Sequence, residues 1–390
     1  MMKTSPLNLK KEHKECLEYI EDYWEKITFK TEEDDGLLIG LPERYLAPSH
    51  HEEFQKKMYY WDSYFTILGL LASDRVELAK EIVENFSHLI EKYNIVPASN
   101  RFYHLAKSQP PFFSSMVVEI YKKTNDEEWL EEEVEHIEKE YEEVWNSRKR
   151  TTDNGLNRYF DQTHYHQQAE DESGWDRTSR FFNKCLDINP IDLNALLYKY
   201  ETDLSYIHSQ LVNDELKKSW GKKASERKER VNEYMWSEEK GFFFDYDHGS
   251  GKRTEVYSLA GYFPLWAGMA SEKQAEKAKE KLELFEEDYG LATTDKKYLD
   301  EERQWDWPNG WAPLHWIVFR GLLNYGYEYE AERIAKKWIN LCQKVFEETG
   351  KFWEKYNVCE GEVSRIGRYP TQSGFGWTNA VFLKMVEHFS

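Results

Sequence analysis

Apolar residues recur at three- and four-residue spacing along most of the chain, in about a dozen stretches separated by short connections. The stretches are 8–28, 61–73, 76–93, 111–123, 126–148, 190–211, 213–236, 256–270, 272–287, 310–325, 327–348 and 376–388. In EWLEEEVEHIEKEYEEVWN, Trp129, Val134, Ile137, Tyr141 and Val144 form one apolar stripe, and glutamates cover the remaining surface. Only GFFFDYDH (241–248) and KFWEKYNV (351–358) read as strands. The pattern predicts an all-α fold. No Pro-, Gly- or Ser-rich stretch marks a linker, and helix pairs recur every 25–40 residues or so, as in folds stacked from helical hairpins. The expectation is one domain over 1–390, a closed ring of paired helices, with 1–54 as an N-terminal helical segment packed on or completing the ring.

The residues that break this periodicity lie between the helices. YYWDSYF (59–65), NRFYHLAKSQPPF (100–112), ESGWDRTSRF (172–181), QWDWPNGWAPLHW (304–316), FWEKYN (352–357) and YPTQSGFGWTNA (369–380) mostly combine aromatic rings with polar groups. Pro308, Asn309 and Gly310 together predict a tight turn. Any one such segment is ordinarily a connection with a buried ring. Six of them in an all-helical chain predict loops gathered on one face of the ring, lining one cavity.

Composition narrows what that cavity can hold. A net charge of -20 with no basic stripe argues against nucleic acid and for a small or neutral ligand. The 15 Trp, 26 Tyr and 21 Phe supply flat apolar faces with polar edges, which suit sugar rings. Four cysteines, Cys16, Cys185, Cys342 and Cys359, show no CxxC spacing, so reduced thiols and a cytoplasmic setting are expected, without a zinc site. His164 and His166 lack companion ligands and read as surface loop residues rather than a metal centre. Neither a signal peptide nor a membrane span is expected, no cofactor is called for, and the oligomeric state is left open, a monomer being compatible.

The loop segments resemble the trehalase family of glycoside hydrolases. Its two signature regions stand here nearly intact as Tyr59-Tyr60-Trp61-Asp62-Ser63-Tyr64 and as Gln304 through Pro313. SQPPF (108–112), SGWD (173–176), EKY (354–356) and GFGWTN (374–379) follow in the family's order, and the likeness covers roughly residues 55–388. The resemblance implies an (α/α)6 toroid and inverting hydrolysis of an α-glucoside. It assigns the general acid to Asp176 and the general base to Glu354, and it puts Trp61-Asp62 and Trp305-Asp306 around the glucose that is cleaved. Tyr60, Arg101, Lys107, Gln109, Gly174, Asn309, Trp311, Arg368 and Trp377 complete the expected substrate contacts, with Arg180 a further polar candidate.

The chemistry of the two carboxyl groups agrees with those roles. An inverting glycosidase needs one carboxylic acid to protonate the leaving oxygen and one carboxylate to activate water. Asp176 follows Trp175, and desolvation there would keep it protonated. Glu354 precedes Lys355, whose charge would favour a carboxylate if the two side chains meet.

Several positions depart from the family. SHHEEFQKKM stands where PGGRF is usual, Ala98 where an asparagine is usual, Lys107 where an arginine precedes SQPPF, and Arg368 where a glutamate belongs. Lysine lacks the planar bidentate fork of arginine. The leading substrate is α,α-trehalose. The alternatives are an acidic α-glucoside such as glucosylglycerate or mannosylglycerate, met by Arg365 and Arg368, and a sugar-binding relative without catalysis.

Overall fold

The computed structural model describes residues 12–300 and 302–389. Its helices are α1 (Lys14–Ile27), α2 (Tyr60–Ala72), α3 (Val76–Tyr93), α4 (Phe113–Thr124), α5 (Glu127–Glu140), α6 (His166–Glu172), α7 (Ile191–Gln210), α8 (Asp214–Tyr234), α9 (Phe263–Trp266), α10 (Glu272–Glu280), α11 (Ala312–Asn324), α12 (Glu328–Thr349) and α13 (Gly376–His388).

Two kinds of helix alternate, and the difference is written in their sequences. YWDSYFTILGLLA in α2 is buried on every side except at its last residue, and α11 and α13 are buried over most of their length. Glutamate- and lysine-rich helices such as α3, α5 and α12 bury one stripe and leave the other face in water. The first kind forms an inner ring in which α2 packs on α4, α4 on α7, α7 on α9, α9 on α11, α11 on α13 and α13 back on α2. The second kind backs it: α3 behind α2, α5 behind α4, α8 behind α7, α12 behind α11 and α1 behind α13, while α10 lies against the 3-10 turn Leu259–Tyr262 through the Tyr262 hydroxyl, 3.0 Å from the Ala278 carbonyl. This is the all-α (α/α)6 toroid.

Three boundaries differ from the sequence reading. The stretch 126–148 is not one α-helix: α5 ends at Glu140 and a π-turn, Tyr141–Trp145, follows. The wider turn sets Trp145 above Glu140, five residues back, so that its indole N–H donates to the Glu140 carboxylate at 3.1 Å. The stretch 256–270 yields only a 3-10 turn and the four-residue α9, since Pro264 lacks an N–H and sits where a helix starts. The stretch 272–287 stops being α-helical at Glu280 and runs through a 3-10 turn into a two-residue strand at Glu286–Glu287. Helix α6 was not expected. Of the segment 1–54, the described helix is α1, and the remainder carries the short strands β1 (Thr28–Phe29) and β2 (Tyr45–Leu46). Residues 8–11 of the first expected helix lie outside the described residues.

Sheet is confined to small ladders, including pieces of both expected strand regions. The ladder that matters for the site joins β3 (Asn309–Trp311), β4 (Lys355–Asn357) and β5 (Glu362–Val363), all antiparallel, with Gly310 opposite Tyr356 and Trp311 opposite Lys355. Asn309 and Gly310 therefore lie in a strand, and the turn falls earlier, closed by the Asn309 N–H on the Asp306 carbonyl at 3.0 Å. Gly310 is needed for close approach: a Cβ there would come within 2.3 Å of Val358 Cγ1. Among the described residues no helix is long and apolar enough to cross a membrane.

Candidate active site

The loops between the helices open a cavity of about 240 Å³ on one face of the ring. Its walls include Trp61 and Asp62 from α2, Lys107 and Gln109 from the loop before α4, Gly174 and Asp176 from the loop after α6, Trp305 and Trp311, Glu354, Arg368 and Trp377. Four tryptophans make much of the apolar part. Trp305 and Trp311 stack with ring centres 3.8 Å apart, and Trp61 packs against Trp305 at 5.5 Å and Trp377 at 5.8 Å. Three of the indole N–H groups are spent on the polar framework: Trp305 donates to Asp176 at 3.2 Å, Trp311 to the Gln304 carbonyl at 3.1 Å, and Trp377 to the Glu354 carbonyl at 3.1 Å. These rings are thus held in place, with Trp305 stacked on Trp311 and also on Trp175, whose ring centre is 5.6 Å away.

Asp176 is presented by a turn that only glycine permits at its second position. Gly174 has φ +75°, and a Cβ would stand 2.8 Å from the Trp61 ring. The Asp176 carboxyl receives the Gln304 amide at 2.9 Å and faces Arg368 Nη1 at 3.4 Å. Burial pushes it up to about 7; the charges of Asp171 and Glu354 add to the rise, and Arg368 and the Trp305 N–H oppose it. Burial also pushes Asp62 up to about 8, with a contribution from Glu354, against a hydrogen bond from its own backbone.

Glu354 is built differently. It is 1% exposed and lies just before β4. Its carboxylate accepts from the Tyr369 hydroxyl at 2.7 Å, from Lys355 Nζ at 3.2 Å and from the Gln372 N–H at 3.4 Å. Lys355 is fully buried, with Nζ 5.2 Å from the Trp311 ring centre and 4.9 Å from that of Tyr369. The two neighbours in sequence therefore do meet.

Four expected contact residues lie outside the cavity walls. Tyr60 points from α2 into the core, where its hydroxyl donates to Glu140 at 2.9 Å and accepts the Phe113 N–H at 3.1 Å; Tyr59 takes the wall position. Arg101 precedes the 3-10 turn Phe102–Ala106, which brings His104 and Lys107 to the wall instead. Asp306 is fully buried and accepts from the Thr178 hydroxyl at 2.9 Å and from the Ser179 N–H at 2.9 and 3.0 Å, so it pins one active-face loop to another. Asn309 is also fully buried, donating to the carbonyls of Gln304 at 2.9 Å and Ile366 at 3.3 Å. Arg180 is saturated too, forked on Asp192 and Asp245 at 2.5–3.0 Å. Arg365 is exposed and not part of the wall.

The structure adds Glu53, Phe54, Tyr59, His104, Asp171, Tyr369 and Phe375 to the wall, together with Ala98. Burial and the nearby Lys107, Lys57 and Arg101 hold His104 down to about 3, so it faces the cavity neutral, bonded to the Ser99 hydroxyl at 2.7 Å. Tyr369 sits in RYPTQ, where an aromatic beside a proline gave a usable signal; Asp171, one acid among several in AEDES, gave none. Among the described residues no group of three or more His, Cys, Asp or Glu is placed to hold a metal ion.

The trehalase family model matches residues 5–171 and 158–390. The periplasmic trehalase of Citrobacter koseri is 32% identical over 95% of this chain and 73% of that protein, and the cytosolic neutral trehalase of Beauveria bassiana is 34% identical over 84% of this chain and 56% of that protein. The chain thus spans little more than half of the fungal relative. Among solved structures, the neutral trehalase of Saccharomyces cerevisiae superposes with a TM-score of 0.80 at 30% identity, covering 89% of this chain and 74% of that one. A GH63 mannosylglycerate hydrolase from Thermus thermophilus, at 18% identity and a TM-score of 0.71 over 95% of this chain and 99% of that one, shares the fold. With its paired-helix ring, its tryptophan-walled cavity and matches over nearly the whole length, the chain belongs to the trehalase family.

Proposed function

We propose that the protein hydrolyses α,α-trehalose with inversion, Asp176 acting as general acid and Glu354 as general base. The observation that carries this reading is the contrast between two carboxyl groups that line one cavity. Asp176 is desolvated and raised to about 7, which suits a group that must deliver a proton to the leaving oxygen. Glu354 is met by a buried ammonium, a phenol and a backbone N–H, a setting suited to taking a proton from water on the opposite face of the sugar. Trp61, Trp305, Trp311 and Trp377 supply apolar surface for a sugar ring, while Asp62, Lys107, Gln109 and Arg368 supply hydroxyl partners.

A neutral aglycone fits better than an acidic one. Arg365 stands away from the wall, and Arg368 already faces Asp171 and Asp176. With Asp62 and Asp176 raised by burial and left out of the count, Glu53, Asp171 and Glu354 still outnumber Lys107 and Arg368 around the cavity, so a substrate carboxylate gains little there. Free thiols at all four cysteines support the cytoplasm as the setting.

The test is proton NMR of the first product from trehalose, with the Asp176→Asn and Glu354→Gln variants alongside. β-Glucose should form together with α-glucose in the first turnovers, and each variant should lose about 10²–10⁴-fold in kcat. Wild-type turnover in either variant, or release of α-glucose alone, overturns the assignment.

A further inference from the structure

Asp171 lies on the last turn of α6, and its carboxylate gathers three cations. Arg177 Nη1 is 3.2 Å from Oδ1, Lys107 Nζ is 3.5 Å from Oδ2, and Arg368 Nη1 is 3.9 Å from Oδ1. Two of the three are themselves fixed. Lys107 also donates to Gln168 Oε1 at 2.9 Å. Arg177 is held in the left-handed region at φ +71°, where the Glu170 carboxylate accepts its N–H and that of Thr178, both at 2.9 Å. Arg368 is the exposed member, with 45% of its side chain in contact with solvent, and the same Nη1 lies 3.4 Å from Asp176 Oδ2. One guanidinium therefore spans two carboxyl groups, those of Asp171 and Asp176.

That arrangement poses a problem for an acid catalyst. A cation within about 4–6 Å stabilises the carboxylate, the form that has no proton to give. We propose that Asp171 is a positioning residue for the acid step: it keeps Arg368 shared instead of paired with Asp176, and its own negative charge opposes ionisation of Asp176. The proposal rests on the reading of Asp176 as general acid. After burial, Asp171 is the largest influence raising Asp176, and Arg368 is the largest opposing it. Other groups facing Asp176 are Glu354 across the cavity, the Trp305 N–H, the Gln304 amide, and the phenols of Tyr59 and Tyr369, both of which burial keeps neutral.

The experiment is the pH dependence of kcat/KM on two substrates. Trehalose needs a protonated acid to release its second sugar, whereas α-glucosyl fluoride releases fluoride without one. In Asp171→Asn the alkaline limb on trehalose should move down by about one pH unit, and the loss at neutral pH should be larger on trehalose than on the fluoride. Arg368→Gln should move the same limb up, and Asp171→Asn with Arg368→Gln should bring it back toward the wild-type position. An equal loss on both substrates with the limb unmoved makes Asp171 merely structural and overturns the proposal. If Asp171→Asn does not fold, Arg368→Gln alone still decides, since an unmoved or lowered limb contradicts the shared contact. Full trehalose turnover by Asp176→Asn would instead remove the acid assignment beneath the proposal.

Discussion

Lys355→Met offers a direct measure of what holds Glu354 ready. The ammonium is fully buried 3.2 Å from a carboxylate that is itself 1% exposed, so the methionine leaves an anion in the protein interior with no countercharge. At an effective dielectric constant near 20 that contact amounts to about 5 kcal/mol of Coulomb energy. Removing one member of a buried pair costs about 3–5 kcal/mol in practice, so the two estimates agree in scale. The remaining partners, the Tyr369 hydroxyl at 2.7 Å and the Gln372 N–H at 3.4 Å, place the expected loss at the lower end, about 3 kcal/mol. Chemical denaturation at pH 7 measures the stability change, and initial rates on trehalose measure kcat, which should fall by about 10²-fold with the base disabled. A second variant separates the causes. With Glu354→Gln added there is no buried charge left unpaired, so stability should recover while activity stays lost. If Lys355→Met keeps wild-type kcat and stability, or if the double variant is no more stable than the single, the pair does not do what is argued for it.

Two further outcomes follow from the buried polar groups. Tyr60→Phe should cost about 1–3 kcal/mol by leaving Glu140 and the Phe113 N–H short of a partner, with KM for trehalose unmoved; a raised KM at unchanged stability would return Tyr60 to the cavity. Burial raises Asp62 to about 8, Asp176 and Glu140 to about 7 and Asp306 to about 6, so the folded state holds more protons than the unfolded one up to about pH 8. Their contribution is full below the unfolded carboxyl range and is lost as pH rises through the folded values, whereas His104 and His315, held down to about 3, weaken the fold only below about 6.5. The melting temperature should therefore fall between about pH 6.5 and 8.5, and a rise across that window would refute the direction.

Helical periodicity was legible because packing enforces it: a helix with one wet face must repeat its apolar stripe, so 76–93 coincides with α3 and 327–348 falls within one residue of α12. It failed where something other than a stripe sets the backbone, as in the π-turn that lifts Trp145 onto Glu140 or the proline in α9. At the site, motifs showed which loops meet but not which side chains of a motif turn inward. Consecutive helical residues diverge by about 100°, so Trp61 and Asp62 reach the cavity while Tyr60 is carried into the core. Asp306 and Asn309 carry the same polar groups a sugar would want, and the fold uses them to bind loops to each other. Asp171 could not be singled out, since its role depends on three cations brought from residues 107, 177 and 368.

The inner ring closes where α13 meets α2, and the hydrogen bond from the Ser49 hydroxyl to the Ser373 carbonyl across that closure joins residues 324 positions apart. Bringing such distant partners together costs about 5 kcal/mol of chain entropy by the logarithmic loop law, whereas each helical hairpin closes over a few residues. Trp61 and Asp62 belong to one bank of this closure, and Glu354 and Trp377 to the other. A growing or refolding chain can therefore build most of its helical pairs and still have half a cavity. The step that completes the architecture is the same step that creates the enzyme, so folding yield and specific activity should rise together, with no well-formed but inactive ring in between.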